Sequence, residues 1–519
     1  MRPTASPLLR AALLVLLAAG AASPGCGGGG GGGGDDPCQP PGSLEPIALE
    51  GATAPDTGGG DYGFFSSQTQ IHVARGGWTV FVADVVDGGS TQALFVAPPA
   101  SPVRMVFRQG EGVPSPGDGT IASFQRVFVT PQGIVVALVT IAGGADTLGI
   151  LTARVDGVGD VVEEDSAVYS GDTLPAAPGM LSPGALTSID ADLLAVSDAG
   201  RTFFAGVGST GSGIYRVERD GGSLVAVAQE GQAAVDMGPG RFLGSDWQAL
   251  GIDQDGVLAG FAVDVTPFGE EGVFAHNLSV TALVAATGDS PPGVAGRDLD
   301  EPYDSGPLVV ALEGGVGVFV WEGELSGPEP DDVVLLRTMT PSAQPLATMV
   351  AGGQSAPGGG GGATVGEVRI LDAEVDAFAV TVRAQVVGGT TSEIFWNLPA
   401  AGSFVEIWRQ GDNAPGGGAD QFTTVYPSLD VPRTVDADVA GSPALSAVLS
   451  DATTAVFWAI RSCGFFDIAR QGGSVPGVGG GSFATFAVPS TVTTASGVIA
   501  FRAQIDGAPG TTSGIFRRR

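Results

Sequence analysis

Few residues in this chain could do chemistry, and their spacing narrows the field further. A hydrolytic triad needs a nucleophile, an imidazole and a carboxylate within hydrogen-bond reach. The chain has two histidines, His72 and His276, which fall in different repeats and read as structural residues. All 23 basic residues are Arg, so a phosphate loop with its Lys is excluded. Three cysteines, Cys26, Cys38 and Cys463, stand too far apart for a zinc set or for thiol catalysis.

The acids offer two constellations. Asp253-Gln254-Asp255-Gly256 alternates Asp and Gly as the start of a calcium loop does, but lacks the late bidentate Glu of such a loop. A tight hairpin turn accounts for the same residues. Asp253 and Asp255 are thus the metal candidates; Ca2+ is the one ion to consider, and otherwise no cofactor is expected. The second set is Glu111, Asp172, Asp289 and Asp412, each directly after a recurrent Gly. On one rim they would form an electronegative mouth that attracts cations; as turn caps they would bond nearby backbone N–H groups. Formal net charge is −32 with the acids scattered, which disfavours nucleic acid and anionic lipid surfaces and suits a soluble monomer.

These residues have to be placed by a repeat. The motif Gly-x-x-x-Pro begins at Gly51, Gly110, Gly171, Gly288, Gly353, Gly411 and Gly472, with a degenerate copy at Gly231. Taken in chain order, the eight glycines are separated by 59, 61, 60, 57, 65, 58 and 61 residues. Each unit of about 60 residues divides into four short apolar runs rich in Val, Thr and Phe, joined by Gly and Asp turns. In the fourth unit these are Trp247 to Asp253, Val257 to Val265, Gly272 to Asn277 and Val280 to Thr287. One such meander cannot bury both faces alone, whereas eight stacked radially can. The eighth unit stops after a third strand, Gly514 to Arg519, while Ser43 to Glu50 ahead of the first anchor resembles a fourth strand. The pattern therefore predicts an all-β, eight-bladed β-propeller over residues 43–519, its four-stranded antiparallel blades closed by an N-terminal strand that completes the last blade.

The turns Ser197-Asp198-Ala199-Gly200, Asp253 to Gly256 and Thr494-Ala495-Ser496-Gly497, the last followed by Val498-Ile499-Ala500-Phe501, occur with the Gly-Asp-x-x-Pro-Gly anchor. Together these resemble the bacterial exported tandem-repeat proteins known by the pattern NxxGxxxAF, over about residues 44–519. Ser, Thr or Asp replaces the Asn here. The resemblance implies export and a surface anchor, and assigns no activity.

The N-terminus agrees. Arg2 and Arg10 precede an apolar run from Ala11 to Ala22, the build of a signal peptide over residues 1–25. Ser23-Pro24-Gly25-Cys26 resembles a bacterial lipobox, with Ser23 where Leu is usual, making Cys26 the lipidation candidate. Gly27 to Gly34 then forms a flexible stretch within a tether over residues 26–42. A lipoprotein of the outer membrane or cell surface is expected, or else a periplasmic or secreted protein, with the membrane reached only through the lipid. Cys38 and Cys463 fall on neighbouring blades and form the one candidate disulfide, which would staple the splice.

Three functions fit these residues. The first is a non-catalytic binding or scaffold module for an unidentified protein or glycan. The second is a metal-assisted hydrolase or lyase acting on a glycan from the propeller channel. The third is an envelope-assembly scaffold, by architectural parallel alone.

Overall fold

A computed structural model describes residues 42–518, apart from 67–68, 87–91, 219–221, 295, 305, 314, 328–329, 341, 344, 375–378, 400–404, 416–419, 428–443, 461–463, 487–491 and 496–497. The segments expected to be a signal peptide and a tether, with Cys26 and Cys38, lie outside the described residues, as does Cys463, and with them the candidate disulfide. Among the described residues no helix is long and apolar enough to cross a membrane.

The eight meanders fold into eight antiparallel sheets arranged as the blades of one β-propeller. Blade 4 shows the plain form, with strands Phe242–Ile252, Leu258–Thr266, Glu270–Asn277 and Val280–Ala286 in spatial order. In blades 1, 5 and 8 the first strand is broken in two, as in Leu299–Glu301 and Val309–Glu313 of blade 5. First strands of successive blades touch one another, for example Gly184–Val196 of blade 3 against Phe242–Ile252 of blade 4.

The core lies between blades because strand residues alternate sides, one set facing the preceding blade and one the following blade. Val80, Val82, Leu94 and Val96 of blade 1 pack with Val127, Val129, Val135 and Ala137 of blade 2. Leu193, Phe203 and Ile214 of blade 3 pack likewise with Trp247, Phe261 and Phe274 of blade 4. Burying each such side chain contributes about 1.5–3 kcal/mol, so these two seams are each held by an apolar layer.

The anchor loop explains why the same Gly returns eight times. In all eight loops its N–H donates to the carbonyl of a residue near the start of the next first strand, from Gly51 to Tyr62 through to Gly472 to Phe483, at 2.7–3.1 Å. That geometry requires a left-handed backbone, and φ at these glycines runs from 76° to 92°. Three residues on, a small apolar side chain plugs the seam: Ala54, Leu174, Ala234, Ala356, Ala414 and Val475 are all buried. The sequence pattern singled out the Gly and the Pro; this intervening plug escaped it.

The ring closes as the sequence implied. Leu44–Leu49 pairs antiparallel with Ser513–Arg518, from Leu44 opposite Arg518 to Leu49 opposite Gly514. Arg517 ties that strand to its neighbours. Its guanidinium binds Glu45 at 2.9 Å and donates to the carbonyls of Gly77 at 2.6 Å and Ala97 at 3.0 Å in blade 1.

Candidate functional site

The acids that follow the anchor glycines are used locally. Asp172 accepts the N–H of Tyr169 at 2.8 Å, Asp289 that of Ala286 at 3.0 Å, Asp412 that of Arg409 at 3.0 Å and Glu111 that of Arg108 at 3.2 Å. Gln232 and Gln354 do the same in their loops through a neutral oxygen. Six of the eight loops thus place a side-chain acceptor here, charged or neutral, the other two having Ala52 and Gly473. The four acids stand on separate loops, and among the described residues no three of them bring ligand atoms together.

The first-to-second strand turns follow the same logic. Asp253 is buried and its Oδ1 accepts the N–H groups of Val257 at 2.7 Å and Leu258 at 2.6 Å. Ser197 and Thr130 accept equivalent bonds from Arg201 and Ile134. Any short side-chain acceptor closes this turn, which is the physical reason that Ser, Thr and Asp can stand at the same place. Asp255 accepts Arg201 through its backbone carbonyl.

The histidines sit in separate seams. His72 Nδ1 accepts the N–H of Val129 at 3.2 Å, with its ring edge-on to Phe128. His276 pairs through Nδ1 with Thr281 Oγ1 at 3.1 Å. Desolvation first, and then the nearby guanidinium of Arg126 or Arg216, lowers each imidazole to about 4. With folded pKa values below the unfolded 6.5, their contribution to stability is complete above that pH and is lost as pH falls toward 4. Both imidazoles are expected to titrate by NMR with midpoints near 4; a midpoint near 6.5 for either would place it in water.

Carboxylates do converge elsewhere, on blade 5. Ligand atoms of Glu301, Asp304 and Glu324 all lie within 4.8 Å of one another. Strand pairing sets Glu301 opposite Glu324, and the break in the first strand delivers Asp304. Two hydrogen bonds pin that break: Trp321 Nε1 to the Pro302 carbonyl at 2.5 Å, and the Tyr303 hydroxyl to the Gly306 carbonyl at 2.6 Å. Behind the cluster lies Glu322, only 3% exposed. Arg369 of blade 6 bridges it, at 3.0 Å, to Asp304, at 2.7 Å. Desolvation, then the charges of Asp304, Glu301, Asp331 and Asp332, push Glu324 up to about 7. Such a set can share a proton or seat a hard cation that prefers oxygen ligands. No local motif marked it, because its members meet only through strand pairing and a strand break.

A protein-family model matches residues 38–302 and 314–517. The chain belongs to DUF7453, a family of unknown function. No curated protein matches this DUF7453 chain. Solved structures that resemble it include a prolyl endopeptidase, at 14% identity and TM-score 0.39, covering 77% of this chain and 49% of the other. The BP39L lectin from Burkholderia pseudomallei follows at 12% identity and TM-score 0.36, covering 78% of this chain and 100% of the other. An oligogalacturonate lyase in complex with manganese shows 9% identity and TM-score 0.39, covering 80% of this chain and 96% of the other. The chain thus spans about half the length of the peptidase and nearly all of the lectin and the lyase. These likenesses assign no activity to it.

Proposed function

We propose that this DUF7453 chain is an exported binding module, held at the cell envelope through a lipid on Cys26 and presenting blade 5 as a seat for a cationic ligand. One observation carries the ligand part of this reading: Glu301, Asp304 and Glu324 bring ligand oxygens together on a rigid frame. Carboxylates gathered in this way favour a divalent cation or a cationic group over an anion. The export part rests on the signal peptide, the lipobox-like run and the glycine tether.

Terbium is a direct probe of this seat. Trp321 is buried against Pro302, next in sequence to Glu301, and can sensitise a bound lanthanide. Titration of the full chain is expected to give saturable emission that Ca2+ or Mn2+ displaces. In Glu301→Gln/Asp304→Asn the emission should fall by at least about tenfold. Wild-type protein with no saturable emission would remove the cationic-ligand reading.

The hydrolase or lyase reading retains one point in its favour. Without a cation, Glu324 in this cluster is pushed up to about 7, the range of a general acid or base. Turnover of an acidic oligosaccharide that requires Glu324 would move the chain into that class.

The anchor is tested separately. Cells expressing the full chain are expected to incorporate labelled palmitate, and Cys26→Ser to lose the label and to release the protein from the membrane fraction. An unlabelled wild-type protein would end the lipoprotein reading.

A further inference from the structure

We propose that Arg502, buried in the seam between the last and first blades, is the receptor for an oxyanion group, carboxylate, sulfate or phosphate, supplied from outside the chain. Arg502 lies on the second strand of blade 8, Val498–Asp506. Alternate residues of that strand divide between two seams. Ile499, Phe501 and Ala503 pack with Val456 and Trp458 of blade 7, while Val498 and Ala500 pack with Val73 of blade 1. Arg502 falls in the second set, and Ile515 opposite it packs with Phe65 and Phe81 of blade 1.

Arg502 is only 5% exposed, and its Nη1 is buried without a hydrogen-bond partner. Among the described residues it forms no ion pair, whereas Arg517 on the adjacent strand is held by Glu45. A guanidinium cannot shed its charge to suit an apolar site, so burial without a counter-ion is costly.

Blade 6 shows how the same position is completed elsewhere. Arg383 stands opposite Phe395 as Arg502 stands opposite Ile515, and Gln385 opposite Glu393 as Gln504 opposite Ser513. In blade 6 the buried Glu393 supplies a carboxylate that pairs with Arg383. In blade 8 that place belongs to Ser513, whose hydroxyl bonds Glu50 at 3.0 Å and receives the N–H of Phe65 at 3.0 Å. Blade 8 therefore keeps the cation, while the carboxylate at that place, Glu50, is engaged by Thr512 and Ser513 and forms no ion pair with Arg502 among the described residues. The planar fork of Arg matches two oxygens of one oxyanion, and such paired bonds are the strong ones. Approach is from the anchor-loop side, where Gln504 and Asp506 on the same strand face are exposed.

The test is thermal unfolding of the full chain with low-millimolar sulfate, phosphate or acetate, with ionic strength held constant by chloride. Wild type is expected to gain stability saturably with at least one of the three, and the responding anion identifies the source chemistry. Arg502→Met should lose the response and, in chloride alone, be no less stable than wild type. Arg502→Lys, which keeps charge but not the fork, should bind at least about tenfold more weakly. Should Arg502→Met fail to fold, the Arg502→Lys comparison decides. The proposal is overturned if wild type responds saturably to none of the three anions, or if any variant that folds responds as wild type does.

Discussion

Removal of Ser43 to Leu49 from the full chain is expected to abolish the folded ring. The loss exposes the edge of Ser513–Arg518 along its whole length and takes Glu45 from the buried Arg517. It also displaces Glu50, whose Oε2 accepts Thr512 Oγ1 at 2.5 Å and Ser513 Oγ at 3.0 Å. An unpaired edge of this kind recruits other chains. The combined cost is on the order of the net stability of a typical domain, about 5–15 kcal/mol. Light scattering after size exclusion should show aggregates in place of the monomer expected for the intact chain. A permutant carrying Ser43 to Glu50 after Arg519 should restore a cooperative melt, because pairing depends on the strand and not on its place in the sequence. A deletion that stays monomeric with an unchanged midpoint would show that this strand does not hold the ring closed.

Arg369→Met should have the next largest effect. The substitution strips the guanidinium from Glu322, which is buried, and from Asp304 at the same time. Breaking a buried pair by removing one partner costs about 3–5 kcal/mol, whereas replacing both partners is often close to neutral. Because the Arg369 side chain is 36% exposed, urea denaturation of Arg369→Met should show a loss at or below the lower end of that range. The double variant Arg369→Met/Glu322→Gln should recover most of it. If the double variant is as unstable as the single one, the loss comes from packing of the arginine stem and not from the stranded carboxylate.

The propeller was legible because its defining residues answer to local rules. A left-handed backbone at every anchor demands Gly, so the ring wrote itself into the spacing of eight glycines. The splice was legible because Ser43 to Glu50 is a strand without a sheet of its own. The turn-cap reading of the rim acids was legible too, since Gln232 and Gln354 at the same place offer an acceptor without a charge. The blade 5 cluster could not. Glu301 and Glu324 become neighbours through strand register, and Asp304 joins them only where the first strand breaks. Nor does the local sequence mark Arg502, whose missing partner is visible only once Ser513 and Glu393 are set in equivalent places.

The strand that completes blade 8 is also the first described part of the chain after the tether. A mechanical load entering at Gly42 passes into Leu44–Leu49 before it reaches any other part of the ring. Drawn along the strand, that load is shared by every rung of the pair with Ser513–Arg518. Drawn across it, the rungs yield one after another, beginning at Leu44 and Arg518. The resistance of the ring to pulling from its N-terminal side is thus set by the direction of the force on one six-residue strand, so an anchor on Cys26, as proposed, would load the chain at the point where the circle would open.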